Sequence, residues 1–137
     1  MKIKLFNKDI KLPVKSHLPD VGLDFFLPQD IVVEPHSVLT IGLGFGVQIP
    51  EGFCGIFVPR SSIAAKGLII QTSIIDPDYT GEVHLIAQNG TDEVLSFEEG
   101  QRLGSLVVLS VLNARIEVVE EFEHTERGES GLGSTGK

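Results

Sequence analysis

The chain contains no tryptophan and only one tyrosine, one methionine and one cysteine among its 137 residues. A lone cysteine, Cys54, cannot form a disulfide within the chain, and with four scattered histidines it does not make a zinc site of the usual kind. No window approaches the roughly 18 apolar residues of a membrane-spanning helix. The lysine-rich N-terminus also lacks the apolar stretch of a secretory signal. We therefore expect a protein of a reducing intracellular compartment, the cytoplasm, with no membrane partner.

Basic residues are scarce as well. Eleven lysines and arginines face 19 aspartates and glutamates, which gives a net charge of −8 at neutral pH. Nucleic-acid binders present lysine and arginine patches, so we expect no nucleic-acid partner. An anionic ligand would have to be neutralised locally by arginines, backbone amides or a metal ion. With 42% hydrophobic residues, the chain has enough apolar material for the core of one domain.

Alternation of apolar and polar residues is the dominant pattern. In residues 38–49 every odd-numbered position is apolar, which predicts a strand with one buried face. Similar runs, separated by turn-forming Pro, Gly, Asn and Asp, occur at 3–6, 30–33, 55–58, 82–89, 103–112 and 115–119. This regular punctuation predicts an all-β, jelly-roll-like sandwich or barrel. A single short helix is expected within residues 61–67.

The last residues have a different composition, being acidic and then rich in glycine. We expect a β domain over residues 1–121 and a flexible arm over 122–137. The arm contains Arg127, Ser134 and Thr135 among backbone amides that can approach a phosphate, which would suit a lid. Residues 131–137 have the spacing of a P-loop, but no helix follows the lysine, so we reject that interpretation.

Two further segments carry side chains suited to phosphate chemistry. Arg60, Ser61 and Ser62 follow a strand, where they either cap the short helix or bring a guanidinium and two hydroxyls to a phosphate. Asp76 follows two large apolar residues in a turn, which is either a plain hairpin or the position of a base in a partly dry site. Tyr79 lies three residues later and offers a flat apolar face.

Other polar residues have simpler interpretations. Asp24 lies inside an apolar run, where it either faces solvent or helps to hold a hydrated Mg²⁺. Arg102 is expected to pair with a structural carboxylate. Cys54 is expected to be a small buried residue, and the histidines are expected at the surface.

Five segments, taken together and in order, resemble the five motifs of the trimeric dUTPase family. They are Gly22-Leu23-Asp24, Pro59-Arg60-Ser61-Ser62, Ile75-Asp76-Pro77-Asp78-Tyr79-Thr80-Gly81, Gly100-Gln101-Arg102, and Arg127-Gly128 with Gly133-Ser134-Thr135-Gly136. The resemblance implies a homotrimer of jelly-roll subunits that hydrolyses dUTP to dUMP and pyrophosphate with Mg²⁺, an activity that limits uracil incorporation into DNA. It also implies active sites shared between chains.

The resemblance assigns a role to each matching residue. Asp76 would deprotonate the water that attacks the α-phosphorus, and Tyr79 would lie beneath the deoxyribose and exclude a 2′-hydroxyl. The backbone of Ser73, Ile74 and Ile75, with the strand near His84, would bind the uracil edge. Phosphate contacts would come from Arg60, Ser61 and Ser62, and Asp24 would act through Mg²⁺-bound water. The arm residues that would close over the substrate are Arg127, Leu132, Gly133, Ser134 and Thr135.

The sequence departs from the family pattern at four positions. Leu132 stands where a phenylalanine usually stacks on uracil, so weaker arm closure is expected. Ser105 replaces a glutamine, Gly104 an alanine, and Ser130 a glycine of the arm.

Three alternative functions remain. A dCTP deaminase shares the fold, but it needs a glutamate where this chain has Ile86, so deamination is not expected. A non-catalytic dUTP sensor would bind the nucleotide without turnover. A purely structural sandwich would bind no nucleotide.

Overall fold

The computed structural model describes residues 1–129, and these form eleven strands and one four-residue helix. The strands are β1 (Lys2–Leu5), β2 (Leu23–Phe26), β3 (Ile31–Val33), β4 (Val38–Gly42), β5 (Phe45–Gln48), β6 (Phe53–Pro59), β7 (Leu68–Ile70), β8 (Ile74–Ile75), β9 (His84–Asn89), β10 (Leu95–Phe97) and β11 (Arg102–Ser110), and α1 is Ser61–Ala64. This composition confirms the expected all-β, jelly-roll-like class with one short helix. No helix within residues 1–129 is long and apolar enough to cross a membrane.

Antiparallel pairing arranges the strands in four sheets. The larger two have the orders β2-β11-β6-β8 and β4-β9-β7, and the two-stranded sheets are β1-β5 and β10-β3. Their apolar faces meet in one core, where the rings of Phe25 and Phe57 pack edge to face with centroids 4.9 Å apart. Cys54 is buried as expected, and all four histidines are exposed.

Two strand predictions were wrong in detail. Residues 38–49 form two strands rather than one, because the chain turns at Gly44, whose φ of +73° is left-handed. The carbonyl of Gly44 accepts hydrogen bonds from the amides of Phe6 (2.8 Å) and Asn7 (3.0 Å), so the N-terminal segment holds this turn. Residues 115–119 form no strand, since no other strand of the described chain pairs with them. Ile116 and Val118 there are almost fully exposed.

Asn89, at the end of β9, is a fully buried polar residue. Its amide donates to the carbonyls of Val33 (2.9 Å) and Glu93 (2.7 Å), and its Oδ1 accepts from the Thr91 amide (2.9 Å) and hydroxyl (2.8 Å). These four bonds use both donors and both lone pairs of the side chain. The amide of the next residue, Gly90, donates to the carbonyl of Gly67 (2.9 Å). Asn89 therefore fixes the β9–β10 connection to β3.

Candidate active site

The first cluster of site residues surrounds the carboxylate of Asp24 on β2. Asp24 Oδ2 accepts hydrogen bonds from Arg102 (2.8 Å), Ser16 (2.9 Å) and Arg60 (3.3 Å), and Oδ1 accepts one from Ser105 (2.7 Å). Strand β11 brings these groups together because it pairs with both β2 and β6. Two guanidinium groups and two hydroxyls therefore meet on one carboxylate, which we call the Asp24 cluster.

The Asp24 carboxylate is held in its ionised form. Burial disfavours the charge, but hydrogen bonds from Ser105, Ser16 and Arg102 and the nearby charge of Arg60 outweigh it, so the pKa of Asp24 lies below its ordinary value. The expectation that Arg102 pairs with a structural carboxylate is confirmed. Ser105, which was expected only as a departure from a family pattern, proves to be a direct partner of Asp24.

The phosphate-binding candidates lie beside this cluster, at the end of β6. Arg60 is extended (φ −70°, ψ 146°) and precedes α1, and its side chain stays 36% exposed. Ser61 and Ser62 begin the helix at the surface. No side chain caps α1, so the alternative of a serine N-cap was wrong. The two hydroxyls are therefore not used for capping, and the guanidinium remains partly open to solvent.

The second group of site residues lies on the connection between β8 and β9, residues 74–84, which we call the 74–84 loop. It is not a β-hairpin, because β8 pairs with β6 and β9 pairs with β4 and β7. The Tyr79 amide donates to the Asp76 carbonyl (3.2 Å), which closes the turn. The Tyr79 hydroxyl donates to the carbonyl of Glu82 (2.6 Å), and His84 Nδ1 lies 3.0 Å from the same oxygen. The ring folds back across Gly81, where a Cβ atom would come within 2.8 Å of the hydroxyl oxygen. Tyr79 is thereby fixed in place although 43% of it is exposed.

Asp76 lies in the 74–84 loop, directly after β8, with its side chain exposed. Together with Asp78 and residues 48–52 it lines an open groove of about 1050 Å³. The partly dry setting expected for Asp76 is therefore not formed within one chain. Of the expected uracil-binding segment, Ile75 is buried, Ser73 is half-buried and Ile74 is exposed.

The two groups lie apart within one chain. On the ladder between β6 and β8, Ile75 pairs with Gly55, and Arg60 follows five residues later. Five residues of extended strand span about 16 Å. No hydrogen bond or ion pair joins the Asp24 cluster to residues 74–84 among the described residues. One chain therefore presents two separate groups of candidate site residues.

The expected arm is only partly described. Arg127 lies in an exposed turn, where the amide of Gly128 donates to the carbonyl of Thr125 (3.1 Å). Ser130, Leu132, Gly133, Ser134 and Thr135 lie outside the described residues.

Glu82 is a residue of this region to which the sequence assigned no role. Its side chain reaches across to the β4–β5 turn, where Oε1 accepts a hydrogen bond from the Gly44 amide (2.8 Å). A signal was present in the alternate glycines Gly42, Gly44 and Gly46, because such a run leaves room for close approach of another segment.

A metal ion would find few ligands within residues 1–129. No three His, Cys, Asp or Glu side chains in this part of the chain come together as a metal site. Asp24 Oδ1 accepts a single hydrogen bond, from Ser105, and so keeps a lone pair for a metal-bound water. This geometry fits outer contact with a hydrated Mg²⁺, which retains several waters.

Comparisons with known proteins identify the family of this chain. The family model described as dUTPase matches residues 8–136. A deoxyuridine 5'-triphosphate nucleotidohydrolase of Corynebacterium glutamicum is 36% identical, over 100% of this chain and 95% of that protein. The structure of Staphylococcus bacteriophage 80alpha dUTPase with dUpNHpp superposes with a TM-score of 0.92 at 30% identity, covering 99% of this chain and 98% of that one. A mutant dUTPase of S. aureus phage phi11, whose structure shows the coordination of a structural Mg(II) ion, gives a TM-score of 0.83 at 26% identity, over 90% and 98% of the chains. The chain therefore belongs to the dUTPase family.

Proposed function

We propose that this protein hydrolyses dUTP to dUMP and pyrophosphate with the help of Mg²⁺. The observation that carries the proposal is the 74–84 loop, where a fixed tyrosine and an exposed carboxylate lie three residues apart. Family membership supports the substrate, since relatives are named for dUTP hydrolysis and the 80alpha dUTPase was solved with dUpNHpp.

In the proposed mechanism Asp76 accepts a proton from the water that attacks the α-phosphorus. A positioned general base of this kind contributes roughly 10²–10⁴-fold to the rate. Its carboxylate is exposed in the free chain, so the bound nucleotide and a second chain would have to exclude bulk water from it. The Tyr79 ring would support the deoxyribose, and the backbone of Ser73, Ile74 and Ile75 with His84 would hold the uracil.

The phosphates would bind beside the Asp24 cluster. Arg60 keeps about a third of its side chain exposed, and Ser61 and Ser62 offer exposed hydroxyls. Arg60 can therefore contact an anion while staying tied to Asp24. Mg²⁺ would neutralise charge on the triphosphate, and Asp24 would hold one of its water ligands through the free lone pair of Oδ1.

The complete site would be shared between copies of this chain. The 74–84 loop and the Asp24 cluster lie apart in one chain, which favours a pocket formed where two copies meet and each contributes one half-site. Residues 111–122 are exposed in the single chain and include large apolar side chains that assembly would cover, such as Leu112, Ile116, Val118 and Phe122. We propose the homotrimer implied by the family resemblance.

The arm of residues 122–137 would then close over the site of a neighbouring copy, with Arg127, Leu132, Gly133, Ser134 and Thr135 at the nucleotide. Truncation after Glu126 is expected to cripple hydrolysis while leaving the assembly intact. Full activity of the truncated chain would refute this role.

Pyrophosphate release with dUTP, dTTP, dCTP or UTP offered separately would test the function. We expect release from dUTP alone, a loss of about 10²–10⁴-fold in Asp76→Asn, and unchanged binding of a non-hydrolysable dUTP analogue. Asp92→Asn is the matched control, because that side chain is 96% exposed on another connection. Binding of dUTP without release by the unmodified protein would instead identify a sensor. Ammonia release from dCTP would identify a deaminase, which Ile86 disfavours because it cannot transfer protons.

A further inference from the structure

Glu82 lies near the end of the 74–84 loop, which also contains Asp76 and Tyr79. Its side chain is half-buried, and its Oε1 accepts the Gly44 amide at 2.8 Å. Its backbone carbonyl accepts the Tyr79 hydroxyl at 2.6 Å and lies 3.0 Å from His84 Nδ1. Glu82 thus contacts the β4–β5 turn through its side chain, and the exposed rings of Tyr79 and His84 through its backbone carbonyl.

The β4–β5 turn is built to receive this residue. A Cβ atom on Gly42 would stand 2.7 Å from Glu82 Oε1, so the carboxylate packs directly on the glycine backbone. A Cβ atom on Gly46 would stand 2.5 Å from the Gly81 carbonyl. The turn also exchanges backbone hydrogen bonds with Val83, from the Leu43 amide (2.9 Å) and to the Phe45 carbonyl (2.8 Å).

Two hydrogen bonds hold the peptide group whose carbonyl receives Tyr79. The Glu82 carbonyl and the Val83 amide lie in one plane, so the bond from that amide to the Phe45 carbonyl (2.8 Å) sets the direction of the Glu82 carbonyl. The side-chain bond from Glu82 to the Gly44 amide (2.8 Å) anchors the N-terminal side of the same peptide group, and so it limits tilting of the carbonyl about the Val83–Phe45 bond. That carbonyl in turn determines where the Tyr79 hydroxyl, and with it the ring, is held.

We infer that Glu82 is a positioning residue that sets the Tyr79 ring and thereby the preference for deoxyribose over ribose nucleotides. The inference rests on the proposed function, in which Tyr79 lies beneath the sugar. Discrimination of this kind depends on a rigid surface, because a ring that can retreat makes room for one more hydroxyl.

Tyr79 is the only tyrosine in a chain without tryptophan, so its emission reports this one side chain. The experiment compares the unmodified protein with Glu82→Ala and Glu82→Gln. It records Tyr79 fluorescence anisotropy without nucleotide, then kcat and KM for dUTP and for UTP. We expect Glu82→Ala to lower the anisotropy, raise KM for dUTP about tenfold and lower the dUTP-over-UTP preference by a similar factor. Glu82→Gln keeps an oxygen for the Gly44 amide and is expected to stay within about twofold of the unmodified protein.

Gly42→Ala gives an independent variant, because its methyl group would displace the same carboxylate while leaving Glu82 in the sequence. It is expected to reproduce the changes of Glu82→Ala, and the double variant is expected to be no worse than either single one. It also replaces Glu82→Ala in the comparison should that variant not fold.

Thr91→Val is the control for a general loss of stability. It keeps the shape of the side chain and removes hydroxyl bonds to Asn89 and Glu93, on the β9–β10 connection. Its sugar preference and Tyr79 anisotropy should be unchanged. Equal changes in Thr91→Val, or none in Glu82→Ala and Gly42→Ala, would overturn the positioning role. An unmodified protein that does not hydrolyse dUTP would instead refute the proposed function, and the anisotropy comparison would still test whether Glu82 positions Tyr79.

Discussion

Asp24, which the sequence suggested as a residue that helps to hold a hydrated Mg²⁺, is the centre of a hydrogen-bond cluster in the structure. Its carboxylate accepts hydrogen bonds from two arginines and two serines that come from widely separated parts of the chain. Its bond with Arg60 holds the first of the phosphate-binding candidates, which are Arg60, Ser61 and Ser62. A proposed role toward Mg²⁺ is compatible with this only because one lone pair is left over.

Acid is therefore expected to weaken the fold through Asp24. Its pKa is lowered in the folded protein, so the ionised group stabilises the fold at neutral pH, and this contribution is lost as pH falls below about 4 and through the lowered value. Asp24→Asn is expected to cost about 1–3 kcal/mol at neutral pH, with a difference from the unmodified protein that shrinks in acid. Urea unfolding between neutral and strongly acidic pH measures it. Asp9→Asn, an exposed change, is the control, and a difference independent of pH would contradict the prediction.

The sequence predicted the kind of contact that a residue makes, but not its partner. Arg102 was expected to pair with a structural carboxylate, but the sequence did not identify that carboxylate as Asp24, 78 positions away. Cys54 was expected to be buried, which follows from its residue type. Ser105 and Glu82 were not assigned these contacts, because their partners Asp24 and Gly44 lie 81 and 38 positions away. No local pattern encodes a contact over such separations, and only the pairing of strands creates it.

At the scale of elements, the two-residue period located the longer strands, but it gave neither their ends nor the short strands β2, β7, β8 and β10. The alternation runs without interruption through Leu43 and Phe45, yet the strand breaks at Gly44 because the backbone there is left-handed. The alternation at 115–119 is equally clear and forms no strand within the described chain. Side-chain periodicity states which face would be buried, but a strand also needs a neighbour to pair with.

Gly44→Ala is expected to destabilise the fold by about 2–3 kcal/mol, from the left-handed backbone and from crowding together. Its Cβ would stand 2.9 Å from Ile10 Cγ2 and 3.3 Å from Asn7 Cβ. Gly52→Ala is the matched control, since Gly52 has a φ of +81° and nothing within 4 Å of a Cβ. That variant should lose only about 1 kcal/mol, for the backbone alone. Chemical unfolding of both variants measures the difference, and equal losses would show that the turn is not crowded.

At the scale of the whole molecule, the separation of the 74–84 loop from the Asp24 cluster has a direct consequence for mixtures of variants. Asp76→Asn and Arg60→Ala should each be inactive alone. If the 74–84 loop of one chain meets the Asp24 cluster of another, co-assembly of equal amounts should restore about one quarter of the sites, because each of the two contributing chains carries the intact half in one case out of two. Pyrophosphate release after joint refolding measures the recovery. A mixture that stays inactive would show that each site is built from a single chain.

The fold also protects the protein from one slow chemical modification, the deamidation of Asn89. Asn89 is followed by Gly90, and an asparagine before a glycine deamidates readily when the glycine amide can attack the side-chain carbonyl carbon. Here the four hydrogen bonds of the Asn89 side chain and the bond from the Gly90 amide to Gly67 hold both reactants apart. The reaction therefore has to wait for this connection to open. Mass spectrometry of stored protein should find Asn89 intact under native conditions and deamidated in urea. The rate of deamidation at this position would then measure how often the β9–β10 connection opens.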